Sequence, residues 1–321
     1  MKSDVTINDI QQAKGRIASI VRRTPLEHSA WLSTELERDV RLKLECFQVT
    51  GSFKLRGAMA KLSRLTEAES ARGILTVSAG NHGLAVAHCA SALSLDATII
   101  VPRSASPTKV AAIRRYPVTL IERGADYDEA ELAAREMERE TGATFVSPYN
   151  DADVIAGQGT IALEILEDAP DVDAILVPVG GGGLLAGVSV AVKANYPHIE
   201  VYGVEPLSSP TMYEALRAGR ILEIKEEATI ADGLAGNIEA GSITFPLVAH
   251  LADGIILVSE ESMRDAIRRV AREDHIMIEG SAAVAIAALA DERLKGQRTV
   301  AVITGRNISL DLFAGIISNH K

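Results

Sequence analysis

The residues around Lys54 are suited to amine chemistry. Residues 50–58 read TGSFKLRGA, in which a glycine and a serine precede the lysine and small residues follow it. A serine immediately before a helix is a typical N-cap, so Ser52 predicts a helix with Lys54 in its first turn. The positive end of the helix dipole and partial burial both lower the pKa of an ammonium group. An amine with a lowered pKa can form a Schiff base, although an isolated lysine at a helix start is more often simply solvated.

Two glycine-containing turns each follow an apolar, strand-like run further along the chain. Residues 78–83 read SAGNHG, and residues 179–187 read VGGGGLLAG. Four glycines before a helix let the backbone approach an anion, whereas a plain tight turn needs fewer. No Gly-Lys-Ser/Thr follows, so this is not a Walker loop, and the spacing is not that of a dinucleotide fingerprint. One phosphate site and one reactive lysine indicate pyridoxal phosphate (PLP) rather than a nucleotide.

In this order, the three motifs resemble those of the fold-type II PLP enzymes, and within them the serine/threonine dehydratases and serine racemases. The resemblance extends over nearly the whole chain. It implies an α/β fold like that of tryptophan synthase β, with two open α/β domains and mainly parallel sheets. Strand and helix patterns alternate between residues 73 and 148, among them a strand at residues 97–101 and a helix at residues 127–141, and this alternation independently favours a parallel sheet. The implied division is a large PLP-binding domain of residues 1–65 and 151–321, with a small α/β domain of residues 66–150 inserted into it.

The resemblance also implies roles for individual residues. Lys54 would be catalytic, because it would hold the cofactor as a Schiff base and remove the Cα proton of the substrate. The Asn81 amide would bind the 3′-oxygen of the cofactor, and the Thr304 hydroxyl its pyridine nitrogen, which leaves a weaker electron sink than a carboxylate would. The residues implied to bind the cofactor are Phe53, Lys54, Asn81, Gly180, Gly181, Gly182, Gly183, Leu184, Gly233, Glu279 and Thr304. Those implied to bind the substrate are Ser78, Ala79, Gly80, Asn81 and His82.

Some of these positions have other interpretations. Asn81 also suits an Asx turn or a helix N-cap, and Phe53 also suits the ordinary core. Glu205 matches one acid of the divalent-metal site of metal-dependent relatives, but Thr211 replaces its companion. A divalent or monovalent cation therefore stays a hypothesis. Arg306 departs from the usual Ser-Gly-Gly-Asn of the family, and no role is predicted for it.

The leading hypothesis is a PLP-dependent ammonia-lyase that dehydrates and deaminates threonine or serine to a 2-oxo acid and ammonia. The turn at Glu279 resembles that of degradative threonine dehydratases and hydroxyectoine-utilization dehydratases. A less common substrate therefore stays open: a hydroxyectoine-derived amino acid, 3-hydroxyaspartate or phenylserine. Serine racemase-like activity is a further alternative, but Ala79 replaces the second base of the racemases and cannot move a proton. His82 and the lysine motif disfavour β-replacement, and the presence of Lys54 disfavours a non-catalytic binding protein.

Composition limits the other classes of protein. The 321 residues carry a formal net charge of −10, which argues against a nucleic-acid surface. Two cysteines, Cys46 and Cys89, make no disulfide framework, so a reducing cytoplasm is expected. The uncharged stretch 174–192 contains Pro178 and four glycines, which favours a strand, a turn and a helix over a membrane span. The expected partner is a small amino-acid substrate, and the resemblance implies a homodimer or homotetramer.

Overall fold

The computed structural model describes residues 5–225, 227–295 and 297–318, and in that part ten strands form two sheets. The strands are β1 (Leu26–His28), β2 (Val40–Lys43), β3 (Ile74–Val77), β4 (Ala97–Val101), β5 (Thr119–Glu122), β6 (Thr144–Phe145), β7 (Ala174–Pro178), β8 (Glu200–Pro206), β9 (Gly254–Val258) and β10 (Thr299–Val302). The α-helices are α1 (Ile7–Ile17), α2 (Ala30–Glu35), α3 (Lys54–Leu62), α4 (Glu67–Arg72), α5 (Asn81–Leu93), α6 (Pro107–Ile113), α7 (Tyr127–Thr141), α8 (Ala152–Asp168), α9 (Gly183–Lys193), α10 (Thr211–Ala218), α11 (Thr244–Leu251), α12 (Glu260–Glu273), α13 (Gly280–Ala287) and α14 (Leu310–Ser318). Short 3-10 helices lie at Glu45–Phe47, Ala288–Ala290 and Glu292–Leu294.

The larger sheet has six strands in the order β1-β2-β10-β7-β8-β9. Only β1 is antiparallel to its neighbour. Alternate residues of β7 enter different core clusters: Ile175 and Val177 pack with residues of α8 and α9, whereas Ala174 and Leu176 pack with residues of α12 and α13. Because both faces are covered by helices, the strands are continuous apolar runs, as is typical of parallel sheets.

The smaller sheet has four parallel strands in the order β5-β4-β3-β6. All four come from residues 66–150, the segment predicted to be the inserted domain, and the domain division itself stays a prediction. Ala130 and Ala134 of α7 pack on one face of this sheet against Leu75 and Ile100. In both sheets the sequence motifs follow the carboxyl ends of parallel strands, which is where open α/β sheets bind ligands.

Elements with a clear apolar period lie where the sequence predicts them. The strand of residues 97–101 and the helix of residues 127–141 have the predicted bounds. The uncharged stretch 174–192 is divided between β7 and α9, as predicted. Among the described residues, no helix combines the length and the apolar character needed to span a membrane.

The start of α3 differs in one detail from the prediction. Lys54 is its first residue, as expected, but the N-cap is Phe53 and not Ser52. The backbone of Ser52 instead forms an antiparallel bridge with Gly305, after Gly51 has turned the chain with a φ of +76°. This bridge ties the lysine motif to the segment that follows β10, so the prediction of a serine cap is wrong.

Candidate active site

Lys54 lies where the loops of the larger sheet meet. Its Nζ donates a hydrogen bond to the backbone carbonyl of Pro148 at 2.9 Å, and the ring centroid of Phe53 is 5.2 Å from Nζ. Burial lowers the pKa of Lys54 from 10.5 to about 8, and the nearby charge of Glu279 opposes this shift. The sequence predicted a lowered pKa, and its main cause is burial.

Asn81 begins α5 at the carboxyl end of β3 and connects the smaller sheet to the larger one. Its Nδ2 donates to Glu279 Oε1 at 2.7 Å, and its Oδ1 accepts from Asn307 Nδ2 at 2.6 Å. The backbone N–H of Asn307 donates to Glu279 Oε2 at 3.0 Å. Three segments that are far apart in the sequence therefore share one hydrogen-bond network beside Lys54.

Glu279 is a buried carboxylate at the N-cap of α13. Burial and, to a smaller extent, the charge of Asp232 raise its pKa to about 7, against the lowering effect of the hydrogen bonds from Asn81 and Asn307. The side chain packs directly on Gly305, where an added Cβ would lie 2.3 Å from Oε1. Any side chain at position 305 would therefore displace this carboxylate.

The four-glycine turn begins just after β7, and α9 begins at its last residue. Gly182 has a φ of +86°, and an added Cβ there would lie 2.6 Å from Met212 Cε. A Cβ on Gly181 would lie 2.4 Å from the ring of Tyr149. The turn thus has no room for side chains. The first backbone N–H groups of α9 have no intrahelical acceptor, so the turn is suited to bind an anion.

Two further predicted positions border this turn. An added Cβ on Gly180 would lie 3.2 Å from Leu234 Cα, so the loop that contains Gly233 packs against the turn. The backbone N–H of Gly233 donates to Ser281 Oγ in α13 at 3.0 Å. Leu184 occupies the first turn of α9 and is buried in the core.

Thr304 follows β10 and lies next to the lysine motif. Its backbone carbonyl accepts a hydrogen bond from the N–H of Phe53 at 3.0 Å. Its hydroxyl is buried and has no hydrogen-bond partner among the described residues. An unsatisfied buried hydroxyl costs free energy, so this position is suited to a ligand atom that can accept or donate a hydrogen bond.

His82 is a buried, neutral imidazole. Its Nε2 lies 3.0 Å from the backbone carbonyl of Val146, which can only accept, so Nε2 carries the proton. Burial and, to a smaller extent, the positive charge of Lys54 lower the pKa of His82 to about 3. The side chain is therefore held by Val146, and only the backbone N–H of His82 is placed at the start of α5.

The rest of the SAGNHG turn is held by its own hydrogen bond. The N–H of Gly80 donates to Ser78 Oγ at 3.1 Å, and the partly buried Ala79 packs against a core cluster that includes Ile113. Gly80 is the N-cap of α5, so the first N–H groups of the helix follow it directly. Binding of a substrate carboxylate at this turn stays a prediction.

Glu205 is fully buried, but its two oxygens already have partners. Oε1 accepts from the backbone N–H of Met212 at 2.8 Å and from the Thr211 hydroxyl at 3.4 Å, and Oε2 accepts from the N–H of Tyr213 at 2.8 Å. Burial raises the pKa of Glu205 to about 7. The carboxylate therefore caps α10. Within the part of the chain that the structure describes, no group of three or more histidine, cysteine or acidic residues could hold a metal ion. The cation hypothesis stays a prediction.

Some residues of the site received no role from the sequence. Asn307 stood in the sequence VITGRN, but its contacts with Asn81 and Glu279 depend on distant segments. Pro148 and Tyr149 follow β6. Their place after the carboxyl end of a parallel strand, where ligands often bind, is the feature of the sequence that could have indicated them. Arg306 points its guanidinium towards Phe47, 5.6 Å from the ring centroid, and its N–H donates to Gly51.

The profile of a known family matches most of the chain. That family is described as "Pyridoxal-phosphate dependent enzyme", and it matches residues 17–305. This chain belongs to that family. Its members depend on PLP, which confirms the cofactor expected from the lysine and the glycine turn.

Similar proteins support the same assignment. An L-threonine ammonia-lyase of Thermotoga maritima is 42% identical over 315 residues, which are 98% of this chain and 78% of the relative. A catabolic L-threonine dehydratase of Staphylococcus aureus is 40% identical over 321 residues, covering 98% of this chain and 92% of the relative. Among solved structures, maize serine racemase has a TM-score of 0.92 at 33% identity, over 98% of this chain and 97% of that one. The α/β fold with mainly parallel sheets is confirmed.

The residues of this PLP enzyme fit its cofactor at three points. The unsatisfied hydroxyl of Thr304 can bond a pyridine nitrogen. The turn from Gly180 to Gly183 has no room for side chains, and the first backbone N–H groups of α9 have no intrahelical partner, which suits them to bind a phosphate. The amine of Lys54 has a pKa low enough to be partly uncharged near pH 8, which Schiff-base formation requires.

Proposed function

We propose that this PLP enzyme deaminates a β-hydroxy amino acid by β-elimination, with threonine or serine as the first choice. Water is lost first, and the released enamine then takes up one water to give a 2-oxo acid and ammonia. The observation that carries the proposal is the half-buried amine of Lys54, with its pKa of about 8, beside the hydrogen-bond network of Asn81 and Glu279. Relatives named L-threonine ammonia-lyase and L-threonine dehydratase, each about 40% identical over nearly the whole chain, support the same reaction class.

Lys54 would act as the base of the reaction. Its uncharged Nζ would accept the proton from Cα of the bound amino acid. The carbonyl of Pro148, 2.9 Å from Nζ, would keep the amine pointed in one direction. The buried environment would keep part of the amine uncharged near neutral pH, which a general base needs.

PLP, when bound, supplies an electron sink for the negative charge that develops at Cα. The Thr304 hydroxyl would bond its pyridine nitrogen without a formal charge, because threonine cannot hold a proton there as a carboxylate can. We propose the following cofactor-binding residues: Phe53, Lys54, Asn81, Gly180, Gly181, Gly182, Gly183, Leu184, Gly233, Glu279 and Thr304. A neutral partner for the nitrogen favours loss of a β-leaving group over transamination.

The substrate carboxylate would bind at the first turn of α5. His82 is neutral and held by Val146, so its side chain supplies no positive charge. The backbone N–H groups at the helix start, together with the Ser78 hydroxyl, would supply the hydrogen bonds. We propose Ser78, Ala79, Gly80, Asn81 and His82 as the substrate-binding turn.

Racemisation of serine is the second candidate activity, because maize serine racemase has the same fold at 33% identity. Ala79 argues against it, since a methyl group cannot protonate Cα from the face opposite Lys54. We expect D-serine formation to be much slower than 2-oxo acid release. A faster rate of racemisation than of elimination would reverse this order of the two activities.

We also propose that the protein forms a homodimer or homotetramer. The supporting observation is α14, in which Leu310 is 74% exposed and Leu312 is 38% exposed. The side chain of Asn307 bonds the carbonyl of Thr50, so α14 starts near the exposed Val49. Light scattering on the wild type and on Leu310→Lys tests this proposal, because the substitution should shift the mass towards the monomer.

The organisation and location of the protein complete the proposal. We propose that residues 66–150 form the small domain and residues 1–65 and 151–321 the large one, with the cofactor between them. Asn81 on one side and Glu279 on the other support this, because they bond across the two parts. We propose a cytoplasmic location, for which the free, buried thiols of Cys46 and Cys89 are supporting observations.

The proposed function is tested with the purified protein and added PLP. We expect a visible absorbance band near 410–420 nm, the usual region for PLP bound to lysine, and release of 2-oxo acid and ammonia from L-threonine or L-serine. Lys54→Ala should lose both the band and the turnover. Thr304→Val, which removes the hydroxyl at nearly constant volume, should keep the band and lower kcat. Full turnover by Lys54→Ala would refute the role of the lysine.

A further inference from the structure

The side chain of Asn307 joins two segments of the chain beside Lys54. Its Nδ2 donates to the backbone carbonyl of Thr50 at 3.0 Å and to Asn81 Oδ1 at 2.6 Å. Its backbone N–H donates to Glu279 Oε2 at 3.0 Å, while Asn81 Nδ2 donates to Glu279 Oε1 at 2.7 Å. Asn307 therefore contacts both residues that meet next to the catalytic lysine.

The types of the partner atoms decide which way each amide is turned. The carbonyl of Thr50 can only accept, so the atom of Asn307 that faces it is the amide nitrogen. The two N–H groups of that nitrogen are then used by Thr50 and Asn81, so the atom of Asn81 that faces Asn307 is its oxygen. The nitrogen of Asn81 consequently faces Glu279.

One N–H of Asn81 is left over after these assignments. Its amide nitrogen carries two N–H groups, and in the described part of the chain Glu279 takes one of them. If Asn81 were turned by 180°, its oxygen would face the Glu279 carboxylate, and its nitrogen would face the N–H groups of Asn307. The first contact would then join two acceptors and the second two donors, so the turned state is disfavoured.

We propose that Asn307 is a positioning residue, which fixes the amide of Asn81 so that its remaining N–H donates to the 3′-oxygen of PLP. The inference rests on the proposed function, because it acts through the contact of Asn81 with that oxygen. A backbone carbonyl sets the orientation of Asn307, and a backbone carbonyl cannot change from acceptor to donor. Asn307 thereby fixes the orientation of the Asn81 amide, which could otherwise rotate.

A double-mutant cycle on Asn81 and Asn307 tests the proposal. The variants are Asn81→Ala, Asn307→Ala and the double variant, and Asn307→Asp keeps the side-chain volume if Asn307→Ala fails to fold. Asn195→Ala, in the turn after α9, is the matched control. It lies at the far end of that helix, about 16 Å from the glycine turn. The readouts are the dissociation constant of PLP for the cofactor-free protein and the pH midpoint of the visible band, neither of which needs turnover.

We expect Asn81→Ala and Asn307→Ala each to weaken PLP binding about tenfold or more, as for loss of a hydrogen bond to a charged group. Each should also raise the pH midpoint of the band, because an N–H donor stabilises the deprotonated 3′-oxygen. Asn307→Asp should weaken binding more than Asn307→Ala, since its carboxylate would draw the Asn81 nitrogen away from the cofactor. In the Asn81→Ala background, loss of Asn307 should have little further effect.

The possible failures are distinguishable. If Asn81→Ala changes neither readout, the contact of Asn81 with the cofactor is wrong, and the positioning role falls with it. If Asn81→Ala has the expected effect but the Asn307 variants match the Asn195 control, or add fully to Asn81→Ala, only the positioning role is refuted. If the wild type shows neither the visible band nor binding of added PLP, the cofactor site itself is refuted.

Discussion

Replacing Lys54 by methionine should stabilise the cofactor-free protein below about pH 8. In the folded protein burial lowers the pKa of this lysine from 10.5 to about 8. Burial disfavours the charged amine. The free energy of unfolding is therefore reduced at every pH at which Lys54 is charged in both the folded and the unfolded state, which means below about pH 8. The penalty falls as the pH rises towards 10.5 and is absent above it, where the amine is neutral in both states.

The magnitude follows from the shift in pKa. A lowering of the pKa from 10.5 to about 8 corresponds to roughly 3 kcal/mol. Methionine fills nearly the same volume but leaves the carbonyl of Pro148 without its donor, which costs about 1 kcal/mol. The net gain is then about 2 kcal/mol, or about 3 °C in Tm for a chain of this length.

Thermal unfolding of the cofactor-free proteins at pH 7 and at pH 10.5 measures this difference. Lys61→Met in the same helix is a matched control, because Lys61 bonds Asp151 at 2.7 Å and should not gain stability when it is lost. The reasoning is refuted if Lys54→Met is no more stable than the wild type at pH 7. It is equally refuted if the gain is the same at both pH values.

Three further substitutions give separate results. Gly181→Ala places a Cβ 2.4 Å from the Tyr149 ring, so PLP affinity in a fluorescence titration should fall at least about tenfold. Gly15→Ala, where nothing lies within 4 Å, should instead raise the stability of α1 by up to about 1 kcal/mol. Arg56→Met leaves two buried carboxylates without their guanidinium and should cost about 3–5 kcal/mol in denaturant unfolding. Addition of Mg²⁺ or Mn²⁺ should leave Tm unchanged, because both oxygens of Glu205 already accept hydrogen bonds.

Each of these expectations has an outcome that contradicts it. Unchanged PLP affinity in Gly181→Ala would mean that the glycine turn does not hold the phosphate. Normal stability of Arg56→Met would mean that the buried charges rearrange without it. A rise in Tm with Mg²⁺ that is lost in Glu205→Gln would show that Glu205 binds a cation after all.

The sequence predicts the elements whose residues carry their own signal. The strand of residues 97–101 and the helix of residues 127–141 have regular apolar periods and clear boundaries, and both have the predicted bounds. The glycine turn is also predictable, because four glycines between a strand and a helix have few other uses. Lys54 at the start of α3 follows from the same kind of local pattern.

Features that depend on distant contacts are not predictable in this way. The side chain of Asn307 meets Asn81 and Thr50, and no local pattern brings these three segments together. Glu205 is a candidate metal ligand in the sequence, and its hydrogen bonds to the first turn of α10 become visible only in the fold. α14 is a short, mostly apolar helix in which Ile316 is buried and Leu310 is exposed, and its sequence alone does not show which apolar residues pack against the protein.

Helix α3 contains two basic residues that behave differently. The amine of Lys54 is partly uncharged near pH 8, whereas the guanidinium of Arg56 stays charged. Two residues after Lys54, the buried guanidinium of Arg56 bonds Glu45 at 2.8 Å and Glu164 at 2.8 Å, and Lys43 also bonds Glu164. Residues two positions apart in a helix point in different directions, so the carboxylates that compensate Arg56 are directed away from the amine of Lys54.

This separation matters for the chemistry. A carboxylate in direct contact with Lys54 would favour the ammonium form and raise its pKa, which would remove the uncharged amine that the reaction needs. The ion cluster of Arg56 instead anchors α3 to the 3-10 helix at Glu45 and to α8 at Glu164. The amine of Lys54 donates to the backbone carbonyl of Pro148. The ion pairs of Arg56 therefore hold α3 in place without raising the pKa of the Lys54 amine, which we propose as the base.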